Sequence, residues 1–258
     1  MERASLVIPL LFLFLTGCIT EVKGRQPAQE DLPEAARINL EMGIGYMRQG
    51  DFRAAKVKLE RAIEDEPDLV LAHTVLGLVY ERLGDSKGAE KYYRRAVALA
   101  PDDPDALNSL AAYLCRTAET TTEALRLFDR ALLVPMSQIY SNKAMVNTNA
   151  GTCAKRTDLP RAENYLRAAL TTDPGYSDAL LQLADVSYQR TNYLQSRAFL
   201  QRYMALEEAS PAVLWLGIQV ETAMGNAQAA DEFGARLQQD FPESVETRML
   251  LEQKRDAG

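Results

Sequence analysis

The chain repeats itself at a fixed interval. Gly43, Tyr46, Ala55, Ala62 and Pro67 each return 34 positions later, as Gly77, Tyr80, Ala89, Ala96 and Pro101. A unit this short cannot bury a core of its own, so its copies must stack and share one, which confines the chain to a solenoid. Inside the unit, Asn39, Met42, Gly43 and Tyr46 fall at helical spacing on one face, and Ala55, Leu59 and Ala62 do the same downstream. Gly50-Asp51 and Gly84-Asp85 interrupt the two stretches, while Pro67 and Pro101 end the second. The pattern predicts a pair of antiparallel helices per unit. Small residues at Gly43 and Ala55 predict a close approach of the two helix backbones.

These residues resemble the tetratricopeptide repeat, which implies an all-α solenoid. Looser copies continue the series. Leu107, Leu110, Ala111, Ala124, Phe128 and Ala131 make a third, with an insertion near Thr120 and a closing Pro135 that arrives early. Asn147, Ala150, Gly151, Ala162, Leu166, Ala169 and Pro174 make a fourth, with a shortened turn at Asp158. Leu180, Leu183, Ala184, Tyr188, Tyr193 and Leu200 belong to a fifth, and Leu216, Gly217, Gly225, Ala229, Phe233 and Pro242 to a sixth. Val245 to Lys254 reads as a capping helix. Residues 34–258 are thus expected to form a tetratricopeptide repeat solenoid of six helix pairs plus a C-terminal cap.

Ahead of the repeats, the apolar run from Ala4 to Leu15 is shorter than the ~20 residues a helix needs to cross a bilayer. Behind Arg3 and ahead of small residues, it reads as a secretory signal peptide. Its end, Leu15-Thr16-Gly17-Cys18, resembles a bacterial lipobox, which implies cleavage before Cys18 and acylation of that cysteine. Residues 1–17 are then a lipoprotein signal peptide, and 18–33 the lipidated cysteine and a polar tether containing Gly24, Pro27 and Pro33. Durable anchoring takes more than one acyl chain, which a lipoprotein cysteine supplies. By resemblance to the sorting of such lipoproteins, Ile19 in place of Asp directs the chain to the outer membrane, facing the periplasm.

An apolar content of 47% suffices for a sizeable core, and a net charge of -7 disfavours nucleic acid or anionic lipid as the main partner. With Cys18 carrying lipid, Cys115 and Cys153 remain as an even pair in a compartment where disulfides persist, and one bridge follows. Catalytic groups are scarce. His73 is the single histidine and takes the packing slot of Asn39 in the 34-residue alignment. No Cys/His metal spacing, glycine-rich phosphate loop or nucleophile elbow appears, so no enzyme, cofactor or small-molecule substrate is expected. Arg48, Arg82, Arg116 and Arg156 recur near the ends of first helices, either as a basic row that reads an acidic peptide or, the favoured reading, as solvated cations that are mildly stabilising without any ligand.

The likeness runs past the generic repeat. A lipobox, a short tether and repeats over the whole length are similar to the type IV pilus biogenesis and stability lipoproteins, the PilF/PilW pilotins. More particular are "LNSLAAYLCRTAETTTEALRLFDRAL", "NTNAGTCAKRTDLPRAENYLRAAL" and "SPAVLWLGIQVE". That family carries one Cys at the end of the third repeat's first helix and another after the Gly of the fourth, as Cys115 and Cys153 stand here. Ala111, where Gly is commoner, and Thr117-Ala118, where a Gly turn is usual, depart from it. The resemblance implies a non-catalytic scaffold that binds the type IV pilus secretin and promotes its outer-membrane localisation, assembly or stability. Rival readings are a periplasmic adaptor recruiting peptidoglycan-remodelling or other envelope machinery, and a subunit of an outer-membrane protein insertion complex.

For the partner surface, Leu40, Ile44 and Met47 form an i, i+4, i+7 apolar stripe beside the Gly43 and Tyr46 face. Its counterparts are mixed: Thr74, Leu78 and Glu81 in the second repeat, Asn108, Ala112 and Cys115 in the third. The stripe either packs against the neighbouring repeat or, where it stays open, is the expected groove for an apolar segment of the secretin. Tetratricopeptide domains that grip chaperone tails hold Lys and Asn where Leu40 and Ile44 stand, which argues against that carboxylate grip.

Overall fold

The computed structural model describes residues 32–134 and 142–256. Among them thirteen helices follow in order: α1 (Glu34–Arg48), α2 (Phe52–Asp65), α3 (Val70–Arg82), α4 (Ser86–Leu99), α5 (Pro104–Leu114), α6 (Thr121–Leu133), α7 (Lys143–Ala154), α8 (Leu159–Thr172), α9 (Ser177–Gln189), α10 (Tyr193–Met204), α11 (Pro211–Ala223), α12 (Ala227–Asp240) and α13 (Val245–Asp256). They form six antiparallel pairs and a lone last helix, α13, that caps the sixth pair.

The turns follow from their residues. Gly50 and Gly84 adopt φ of 81° and Gly225 of 73°, the left-handed conformation that ends a helix and that a side chain resists. Next to them Asp51 and Asp85 start the second helix, their carboxylates accepting from the Ala54 and Gly88 amides. Asp158 does the same for Arg161 at the shortened turn of the fourth repeat. Thr191 is the exception: it stands in the glycine position of the fifth repeat at φ 61°.

Within each pair a small residue of the first helix receives a large one from the second. A Cβ added to Gly43, Gly77, Gly151 or Gly217 would come within 2.5 to 2.8 Å of Leu59, Tyr93, Leu166 or Phe233 respectively. First helices also pack on the first helices of the next repeat, whereas second helices touch their own partner and the following first helix. Long side chains span the wider gaps between second helices, as Arg94 reaches Glu123 and Arg161 reaches Asp129. First helices therefore line the inner side of the curve.

Three expectations change. Leu40 is only 1% exposed, buried with Leu59, Leu69 and Leu76 in the core shared by the first two repeats, so it is not a groove residue. Met42, placed on the packing face by its spacing, is 38% exposed, because no helix precedes α1 among the described residues to cover that side. Leu32, assigned to the tether, belongs to the same core as Leu40. The signal peptide, Cys18 and Pro135 lie outside the described residues.

Candidate partner-binding surface

The inner surface changes character along its length. In α1, Ile44 and Met47 are half-buried at the margin of the first core, with Leu40 beneath them, so two of the three stripe residues reach the surface. From α5 to α9 the seam between first helices is polar. Asn149 donates to Asn108 (Nδ2 to Oδ1, 3.0 Å), and the Lys155 ammonium donates to Gln182 Oε1 (2.8 Å) and Asp185 Oδ2 (2.6 Å). These groups satisfy one another, which fixes the register of neighbouring repeats.

The two cysteines meet on this seam. Cys115, at the C-cap of α5, is bonded to Cys153 inside α7, with Cα atoms 5.6 Å apart across a separation of 38 residues. Beside them Arg156 donates from Nη1 to the carbonyls of Cys115 (3.2 Å) and Arg116 (3.1 Å), the open end of α5. Arg116 in turn pairs with Glu81 of the preceding repeat at 3.1 Å. Arg116 and Arg156 are thus inter-repeat ties.

His73 is 4% exposed, with Nε2 2.8 Å from the Pro67 carbonyl and the ring stacked on Tyr92 at 5.9 Å. Burial holds its pKa below the ordinary value. Nδ1 has no partner. A shallow depression of 570 Å³ borders the ring, and two of its basic side chains are engaged elsewhere: Arg94 with Glu90 and Glu123, Arg95 with Asp68. His73 therefore packs and closes a turn. Among the described residues no three of His, Cys, Asp and Glu converge as metal ligands would.

Sequence reading missed the apolar residues that α1 exposes most. Ile38 is 42% and Met42 38% exposed, on a different side from Ile44. The signal was present: the 34-residue alignment sets them against Ala72 and Leu76, both fully buried under α2.

Two tetratricopeptide repeat family models match the chain, one over residues 40–104 and 82–143 and the other over 154–216. The type IV pilus assembly protein PilF of Pseudomonas aeruginosa is 27% identical over 98% of this chain and 99% of its own length. The crystal structure of PilW, described as a widely conserved type IV pilus biogenesis factor, superposes with a TM-score of 0.79 at 29% identity, over 85% of this chain and 99% of that one. The structure of Pseudomonas aeruginosa PilF shares the fold, with a TM-score of 0.74 at 24% identity over 85% of this chain and 98% of its own. Repeat geometry and end-to-end likeness agree: the chain belongs to the tetratricopeptide repeat family and, within it, to the type IV pilus biogenesis factors of the PilF/PilW kind.

Proposed function

We propose that this protein is the outer-membrane lipoprotein scaffold of a type IV pilus machine, a pilotin. Acylated Cys18 holds it at the periplasmic face, and the solenoid binds secretin subunits and promotes their localisation, assembly or stability. The observation that carries this reading is the end-to-end correspondence with a type IV pilus assembly protein. The tetrapeptide Leu15-Thr16-Gly17-Cys18 supports the anchor. Ile44 and Met47 give the inner face of the first repeat an apolar margin suited to a docked segment. A membrane tether raises the effective concentration of that face where the secretin must insert.

The test is made in cells. Cys18→Ala should abolish labelling by radioactive palmitate and leave an uncleaved or mislocalised precursor; label that persists would remove the anchor. Ile44→Asp, in a protein that keeps its helical circular dichroism, should lose secretin from a pull-down and reduce secretin multimers, whereas Arg156→Glu should retain both. Unchanged multimers and motility with Ile44→Asp, and recovery of peptidoglycan-remodelling enzymes instead of secretin, would point to the adaptor reading.

A further inference from the structure

The first repeat exposes half of an interface that the rest of the molecule completes. At the position of Ile38 the second to fifth repeats place Ala72, Ala106, Val146 and Ala179, none more than 1% exposed, while the sixth has only the small Ala212 there, which is exposed. At the position of Met42 the second to sixth repeats place Leu76, Leu110, Ala150, Leu183 and Leu216, none more than 7% exposed. Each of these faces is covered by the second helix of the preceding repeat, as α2 covers α3 through Ala55, Leu59 and Ala62. Ile38 and Met42 are 42% and 38% exposed.

In the second, third and fifth repeats an arginine ties back to the preceding second helix, whereas the fourth has Ala168 in that place and Arg236 of the sixth pairs with Asp240 of its own helix. Arg95 bonds Asp68 in the connection that follows α2, Arg130 donates to the Pro101 carbonyl after α4, and Arg202 donates to the Pro174 carbonyl after α8. Each arginine thus holds the C-terminal end of the preceding second helix, where carbonyl oxygens concentrate negative potential. The equivalent residue of the first repeat is Arg61, exposed and without a hydrogen-bond or ion-pair partner among the described residues.

We propose that the outer side of α1, with Arg61, is a seat for one amphipathic helix donated by another protein, lying as a second helix lies on the next repeat, its C-terminal end at Arg61. The inference rests on the scaffold reading above and adds the form of the partner's segment. The apolar positions of the seat call for an apolar stripe at i, i+4 and i+7, and Arg61 calls for a carboxylate or free carbonyls at the helix end. Residues 1–17 are removed in the reading above, and the remaining candidates fit less well. Residues 19–31 contain Gly24 and Pro27 and only Ile19 and Val22 as large apolar side chains, too few for such a stripe. A second copy has no second helix to give, because α2, α4, α6, α8, α10 and α12 each already sit between two helices of their own chain, and its α13, which exposes Val245, Met249 and Leu251, carries Lys254 and Arg255 in its last turn, the wrong charge to meet Arg61.

The test places the photoreactive residue p-benzoylphenylalanine at Ile38 of the full chain in cells and sequences the crosslinked peptide, with Leu194, exposed on α10, as the control position. The expected product is a peptide of another protein with apolar residues at i, i+4 and i+7, formed from position 38 and not from 194. Arg61→Glu should lower its yield about tenfold, the loss of a charged hydrogen bond. A crosslink to residues 19–31, to a second copy or to lipid, or no crosslink at all, overturns the proposal. If the captured helix belongs to a protein other than the secretin, the seat stands and the secretin reading falls; secretin lost with Ile44→Asp but never captured from position 38 gives the reverse.

Discussion

His73 shows how one side chain links a loop to pH. Burial is the main reason its pKa lies below the ordinary 6.5, and the nearby Arg95 and Lys91 act in the same direction, against the Pro67 carbonyl and Asp68. The folded protein keeps the ring neutral, so below about pH 6.5 the unfolded chain binds a proton that the folded one refuses. This contribution to stability is therefore whole at neutral pH and is lost as the pH falls through 6.5 towards the folded-state pKa, below which no more is lost. Urea midpoints at pH 7.5 and 5.5 should differ less in His73→Asn than in the parent protein; equal differences would show that His73 contributes nothing. Sequence alignment gave the slot correctly, as Asn39 and His73 both reach the end of α2, the first to Asp65 and the second to Pro67.

Helix pairs are held by matched sizes and by turn conformation, and both can be tested one atom at a time. A Cβ on Gly151 would lie 2.5 Å from Leu166 Cγ and 3.2 Å from the Ala162 carbonyl, so Gly151→Ala must push α7 and α8 apart. It should cost about 1 to 3 kcal/mol in denaturant unfolding. Gly45, also helical but with nothing within 4 Å of its added Cβ, is the counter-example. Gly45→Ala should stabilise by about 0.5 to 1 kcal/mol through helix propensity alone. At the fifth turn Thr191 carries the strain that glycine avoids at Gly50, Gly84 and Gly225. Thr191→Gly should raise stability by about 1 kcal/mol, and a thermal midpoint that stays put or falls would deny the strain. The turn glycines were legible because glycine announces its own conformation. The strained turn was not, since Thr191 is an ordinary surface residue until its φ is known.

At the scale of the whole molecule, a solenoid transmits stability only between neighbours, and the third and fourth repeats join through the least regular stretch of the sequence. The Cys115–Cys153 bond closes a separation of 38 residues across that junction. Replacing both by Ser should cost about 3 to 4 kcal/mol in the chain-entropy picture and broaden the urea transition as the two halves uncouple. Two free thiols in the denatured, unreduced and delipidated protein would show that the bond does not form. The period, the helix pairs, the glycine turns and the cysteine pair could all be read from the chain, because each depends on residues within one unit or on their exact recurrence. Which side of α1 is covered could not. Leu40 and Met42 sit two residues apart on one helix, and spacing alone assigned the first to a groove and the second to packing. The structure reverses both, because burial depends on which helices arrive: α3 closes over Leu40, while no second helix precedes α1 among the described residues to close over Met42. The arginines follow the same logic, since their partners lie 27 to 41 residues away on another repeat and only the stacking brings them within reach.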